Sequence, residues 1–233
     1  METQNKKRSN NGLNIVLAIL LCVLNVYFLW LTWDTIEQLI DVGVEGRGYG
    51  IGVFYVLIGI LDIGACLFFG ILALLKISKG ECPGKIFTIS LVIAPSFYFL
   101  TSIVNLIGYS ALGVITGVDI FRQIMFLFWS LAVILLGIFA FINLLGKKRL
   151  FGLLSAGLFA SQVLFLFFGN FGGLFSYTIA GMLGLGVMLA YSVIYIIRVV
   201  KQPKECGCNA KEEAKPIVKE EKSKEEPTSK EAK

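Results

Sequence analysis

Apolar residues fall into six long runs, separated by short polar stretches: Leu13–Trp33, Ile51–Leu75, Ile86–Gly108, Ile124–Leu145, Leu150–Gly169 and Leu174–Ile197. Each run has the roughly twenty residues that a helix needs to cross a hydrocarbon layer about 30 Å thick. The pattern predicts an all-α, polytopic membrane protein with six transmembrane helices. It divides the chain into a polar segment 1–12, a membrane domain 13–200 and a Lys/Glu-rich tail 201–233. The first run is too long for the core of a cleaved leader and ends in Trp30 and Trp33, which suit a membrane interface.

The polar stretches alternate in charge. Lys6, Lys7 and Arg8 precede the first run, and Lys76, Lys79 and Lys85 lie between the second and third. Lys147, Lys148 and Arg149 lie between the fourth and fifth, and Arg198, Lys201 and Lys204 follow the sixth. The three intervening connections hold only Arg47 and Arg122. Cytoplasmic loops carry the excess of Lys and Arg, so both termini are expected in the cytoplasm. The first opposing connection, 34–50, is acidic, with Asp34, Glu37, Asp41 and Glu45. Asp34 and Glu37 resemble a capping box, and Ile36, Leu39 and Ile40 give one apolar edge; together they predict a short, separate interfacial helix there.

From Lys211 onward the chain is mostly Lys and Glu with Pro216 and Pro227, too poor in apolar residues to fold alone. The tail is expected to be disordered and solvated, and it is where a protein partner would dock. The oligomeric state has no signature in the sequence.

Composition agrees with the runs: 233 residues, 56% hydrophobic, with a mean hydropathy of +0.79. The net charge of +5 sits beside apolar runs. It therefore marks topology and contact with lipid headgroups, and no nucleic-acid partner is expected. The compact connections fit a plasma membrane of a bacterium or archaeon.

The chain contains no histidine, which removes the commonest general base and metal ligand. HExxH, Walker and GxSxG motifs are absent, and the glycines at 181–186 lie inside an apolar run where no dinucleotide turn belongs. No cofactor is expected, and the composition implies a non-enzymatic role in structure, assembly or regulation. A small transporter or channel is the alternative. It rests on Asp62, a lone carboxylate near the middle of the second run, where charge is costly and an ionisable residue is a functional candidate. Tyr55, Gly59, Asp62, Cys66 and Phe69 share one helical face. Asn25, Asn105 and Gln162 are the other intramembrane polar groups that such a site would draw on. Pro95 is expected to kink the third helix, with Ser90 or Ser96 satisfying the freed backbone.

Cys82, Cys206 and Cys208 fall on one predicted side and form a second candidate site, for a soft metal or thiol exchange. Without a fourth ligand or a histidine, unmodified surface or headgroup-level thiols are the simpler explanation. Cys22 and Cys66 read as small buried hydrophobes. Gly152, Ala156 and Ala160 are spaced by four, as are Ser176, Ala180 and Gly184, which predicts a close hairpin of the last two helices.

Overall fold

In a computed structural model of the chain, residues 2–42, 49–112, 117–142, 148–169 and 179–201 are described. All of the regular structure among them is helical: α1 (Glu2–Val42), α2 (Tyr49–Ser78), α3 (Gly84–Leu112), α4 (Gly117–Phe141), α5 (Lys148–Gly169) and α6 (Ile179–Lys201). Each is long and apolar enough to span a membrane. The turn at 170–173, Ser176, Cys206, Cys208 and the tail from 202 on lie outside the described residues.

Within Met1–Gln202 each helix packs on the next in sequence, and α6 closes back onto α1. The result is a ring of six with α1 opposite α4. Its core is built from Leu17, Leu21, Phe28, Phe87, Leu91, Phe159, Met188 and Tyr191, all almost fully buried. Residues such as Leu61, Phe68, Phe128, Leu183 and Val200 are apolar and exposed. That distribution is expected of helices whose outer solvent is lipid.

The helices run past the apolar stretches at several ends: α1 begins at Glu2 and takes in the polar segment 1–12, and α3 continues to Leu112. Two further differences bear on the site. The separate interfacial helix after Trp33 does not form; α1 runs unbroken through Asp34 to Val42. Its 41 residues make a rod about 60 Å long, twice the hydrocarbon thickness. The apolar edge explains the continuation. Leu39 packs into the space over Gly52 of α2, where an added Cβ would come within 2.2 Å of its Cδ2. The Asp34 carboxylate accepts from Gln38 Nε2 within the same helix (3.0 Å), in place of capping a new one. The second difference is α4, which begins at Gly117 and so takes in Arg122.

The α2–α3 hairpin ends tightly. Gly80 has φ +72°, and Glu81 N–H reaches Lys76 O at 2.9 Å while Gly80 N–H reaches Ile77 O at 3.0 Å. This is the Schellman closure, which favours glycine at its left-handed position. Pro83 then accepts the Ile86 amide and starts α3.

Candidate functional site

Between the helices, at the end of the ring away from Lys76, Lys148 and Arg198, lies a cavity of about 500 Å³. That volume suits a small-molecule site. The end of the first apolar run and the start of its continuation in α1 supply one wall through Tyr27, Trp30, Leu31, Asp34 and Thr35. These residues share one face because they are spaced by three and four. Trp30 therefore turns inward, with Tyr27 stacked on it (centroids 6.1 Å, interplanar 25°). Trp33, by contrast, stays exposed as an interface anchor should. The facing wall from α4 carries Arg122, Gln123 and Phe126, and α3 adds Phe97, Tyr98, Thr101, Ser102 and Asn105. From α2, Tyr55 enters and its hydroxyl bonds Asn105 Oδ1 and the Thr101 carbonyl (3.2 Å).

The floor is Gly59 against Thr32. An added Cβ at Gly59 would stand 2.2 Å from Thr32 Oγ1, and that hydroxyl is turned back to Phe28 O (2.8 Å). One turn deeper sits Asp62, buried on the same face of α2 as Gly59, Cys66 and Gly70. The α1–α2 register follows from three close approaches: Leu39 at Gly52, Thr32 at Gly59 and Cys22 at Gly70. That register sets Asn25 level with Cys66, one turn beyond Asp62. Asp62 Oδ2 and Asn25 Oδ1 are both buried without a hydrogen-bond partner. The cavity thus stops one turn short of a seam that holds two unmatched acceptors.

The other predicted polar residues are dispersed. Asn105 lies in the cavity wall with Tyr55, about 11 Å along α2 from Asp62. Gln162 is in the α4–α5 seam, where Nε2 donates to Ser130 Oγ (2.7 Å) and Oε1 has no partner. Of the predicted set, only Asp62 and Asn25 share a seam. Pro95 lies within an uninterrupted α3. Ser96 donates to Val92 O (2.8 Å) and Ser90 to Phe87 O (3.1 Å). Neither hydroxyl reaches the Leu91 carbonyl, which Pro95 deprives of its usual donor.

Cys82 is exposed in the α2–α3 turn, 4.0 Å from Arg198 Nη2. Among the described residues no three acidic or thiol side chains gather closely enough to hold a metal.

The basic end holds what sequence reasoning missed. Arg198, read from sequence only as a topology marker, is 3% exposed. Its Nε donates to Asn14 Oδ1, and its guanidinium carbon lies 5.2 Å from the centre of the Phe87 ring. No carboxylate pairs with it among the described residues, where the one ion pair is Lys76–Glu81 at 3.4 Å. Below it, Tyr195 OH meets Thr88 Oγ1 at 3.1 Å and Tyr191 OH meets Ser90 Oγ at 2.5 Å. The tyrosines at 191 and 195 share a face by their spacing of four, a signal present in the sequence. Arg149 Nη2 closes the end of α6 by donating to Val200 O (2.8 Å).

Compared with family models, curated proteins and solved structures, the chain matches none of them. The functional reading therefore rests on the geometry of the cavity and its seam.

Proposed function

We propose that this integral membrane protein is non-enzymatic and regulatory, and that it acts by holding a small amphipathic molecule in the cavity between α1 and α4. The observation that carries the reading is the cavity itself. Its volume of about 500 Å³ lies among aromatic side chains interspersed with hydroxyl, amide and charged groups, a concave mixed surface that suits a small-molecule site. The lack of histidine in the whole chain supports a binding role over catalysis. The basic end faces the cytoplasm in this reading, by the excess of Lys and Arg there, so the cavity opens on the opposite side. The membrane we assign is the plasma membrane of a bacterium or archaeon, on the strength of the compact connections.

Native mass spectrometry of the full chain, released from nanodiscs of mixed phospholipids, tests the reading. One retained adduct per chain is expected, and Thr35→Trp, which fills the cavity from a half-buried position, should remove it. An adduct indifferent to Thr35→Trp overturns the proposal.

A second reading is favoured by one observation, the orphaned Asp62 Oδ2 one turn below the cavity floor. In that reading the Thr32–Gly59 contact parts and Asp62 exchanges a proton or cation with the cavity. Proteoliposomes loaded with a pH dye would then show proton flux that Asp62→Asn abolishes. Absence of flux leaves the first reading alone.

A further inference from the structure

The cavity carries one carboxylate and one guanidinium, and they do not meet. Asp34 comes from α1 and Arg122 from α4, which stand opposite each other in the ring. Among the described residues the single ion pair is at the other end. Arg122 is exposed and Asp34 half-buried, so both stand near the mouth. Gly59, Leu31, Leu166 and Leu185 line the cavity too, and Gly59 and Leu185 are buried positions farther along their helices. The site is thus aromatic and aliphatic inside, interspersed with neutral hydroxyl and amide groups such as Thr32, Thr101, Ser102 and Asn105, with opposite charges held apart at the rim.

Such a rim discriminates by repulsion as well as attraction. A bare anion that approaches Arg122 meets Asp34, and a bare cation that approaches Asp34 meets Arg122. A molecule that bears both charges a few ångströms apart satisfies both walls at once. The stacked Tyr27–Trp30 pair, one to two turns from Asp34 on the same face, adds aromatic surface that attracts an ammonium group.

We propose that the cavity binds an amphipathic zwitterion, its ammonium group against the Asp34 carboxylate and its phosphate or carboxylate against the Arg122 guanidinium. This rests on the ligand-holding reading above and names the chemistry of its ligand. A phospholipid from the surrounding bilayer and a free zwitterion from water share that chemistry.

The test uses the full chain in nanodiscs and native mass spectrometry, with three lipids of matched acyl chains in competition. These are zwitterionic phosphatidylethanolamine, anionic phosphatidylglycerol and a cationic trimethylammonium lipid. The wild type should retain phosphatidylethanolamine over each of the others by tenfold or more. Asp34→Asn should cut the discrimination against phosphatidylglycerol to threefold or less, and Arg122→Gln should do the same for the cationic lipid. Asp34→Asn keeps the shape of a half-buried side chain and Arg122→Gln shortens an exposed one, so both variants should fold, and a change in preference is not what loss of structure produces. Glycerophosphoethanolamine, the water-soluble head alone, separates the sources. Displacement of the adduct by millimolar amounts assigns a free zwitterion, and resistance assigns a bilayer lipid. Preferences unchanged in both variants overturn the inference. If Thr35→Trp still removes the adduct in that case, the ligand-holding reading survives it. If Thr35→Trp changes nothing, both fall.

Discussion

The two ends of the ring solve the same problem in opposite ways. At the basic end, polar groups from α1, α3 and α6 converge and are matched to one another: Arg198 with Asn14, Tyr195 with Thr88, Tyr191 with Ser90. At the cavity end, polar groups from α1, α2, α3 and α4 face an opening, and Asp34 and Arg122 stay apart. Matched polar groups in a low-dielectric setting rigidify a bundle, because breaking one leaves its partner buried and unsatisfied. A carboxylate and a guanidinium that face an opening without pairing with each other leave capacity for something that is not part of the chain. The difference separates stability from binding along the length of one ring.

Substitutions can break that separation, and the largest effect should come from Asn14→Leu. It leaves the buried Arg198 guanidinium without its oxygen acceptor and should destabilise by about 3 kcal/mol or more. Thermal unfolding in detergent, followed by near-ultraviolet circular dichroism, would read this as a clear loss of melting temperature. Adding Arg198→Met to that variant should recover most of the loss, since the stranded charge goes with it.

Next in size is Gly184→Val. A Cβ there lies 1.9 Å from the Tyr27 ring, an overlap with a buried side chain, so about 1–3 kcal/mol is expected in the same assay. Gly186→Ala is its control, because a Cβ at Gly186 meets nothing within 4 Å, and it should be neutral or slightly stabilising. Ser90→Ala should cost about 1 kcal/mol, the usual worth of one buried hydroxyl contact. At the cavity end, Tyr55→Phe should move the melting temperature least, since its hydroxyl works beside an opening. Its effect should show instead as weaker retention of the adduct. A Tyr55→Phe variant that melts like Asn14→Leu would erase the distinction between the two ends.

Much of this architecture could be read from the sequence. Twenty-residue apolar runs leave no other solvent than lipid, and alternating Lys and Arg clusters punctuate them at the right intervals, so six helices followed directly. Gly152 was correctly placed against the last helix: an added Cβ would meet Tyr195 OH at 3.4 Å. Gly184 was not, because spacing reports a small face without saying which helix fills it, and it is Tyr27 of α1 that does so. The extension of α1 beyond Trp33 was hidden for a similar reason. The acidic cluster reads as a loop until Leu39 is seen against Gly52. Asp62 stood out because it is the one carboxylate in its run. Arg198 did not, because a basic residue at the end of an apolar run already has an ordinary explanation. The cavity had no signature, since Asp34 and Arg122 are 88 positions apart in sequence and come to line one cavity only through ring closure.

That closure has a consequence for how the chain is made. Tyr27 is synthesised early, and the glycine that receives it is 157 positions later; Asn14 waits 184 positions for Arg198. Until α6 has entered the bilayer, the inner face of α1 has no permanent neighbour on that side. A product halted after α5 would therefore carry an open flank with an unmatched asparagine. Quality-control proteases that survey nascent membrane proteins would have a polar mark by which to recognise the unfinished ring.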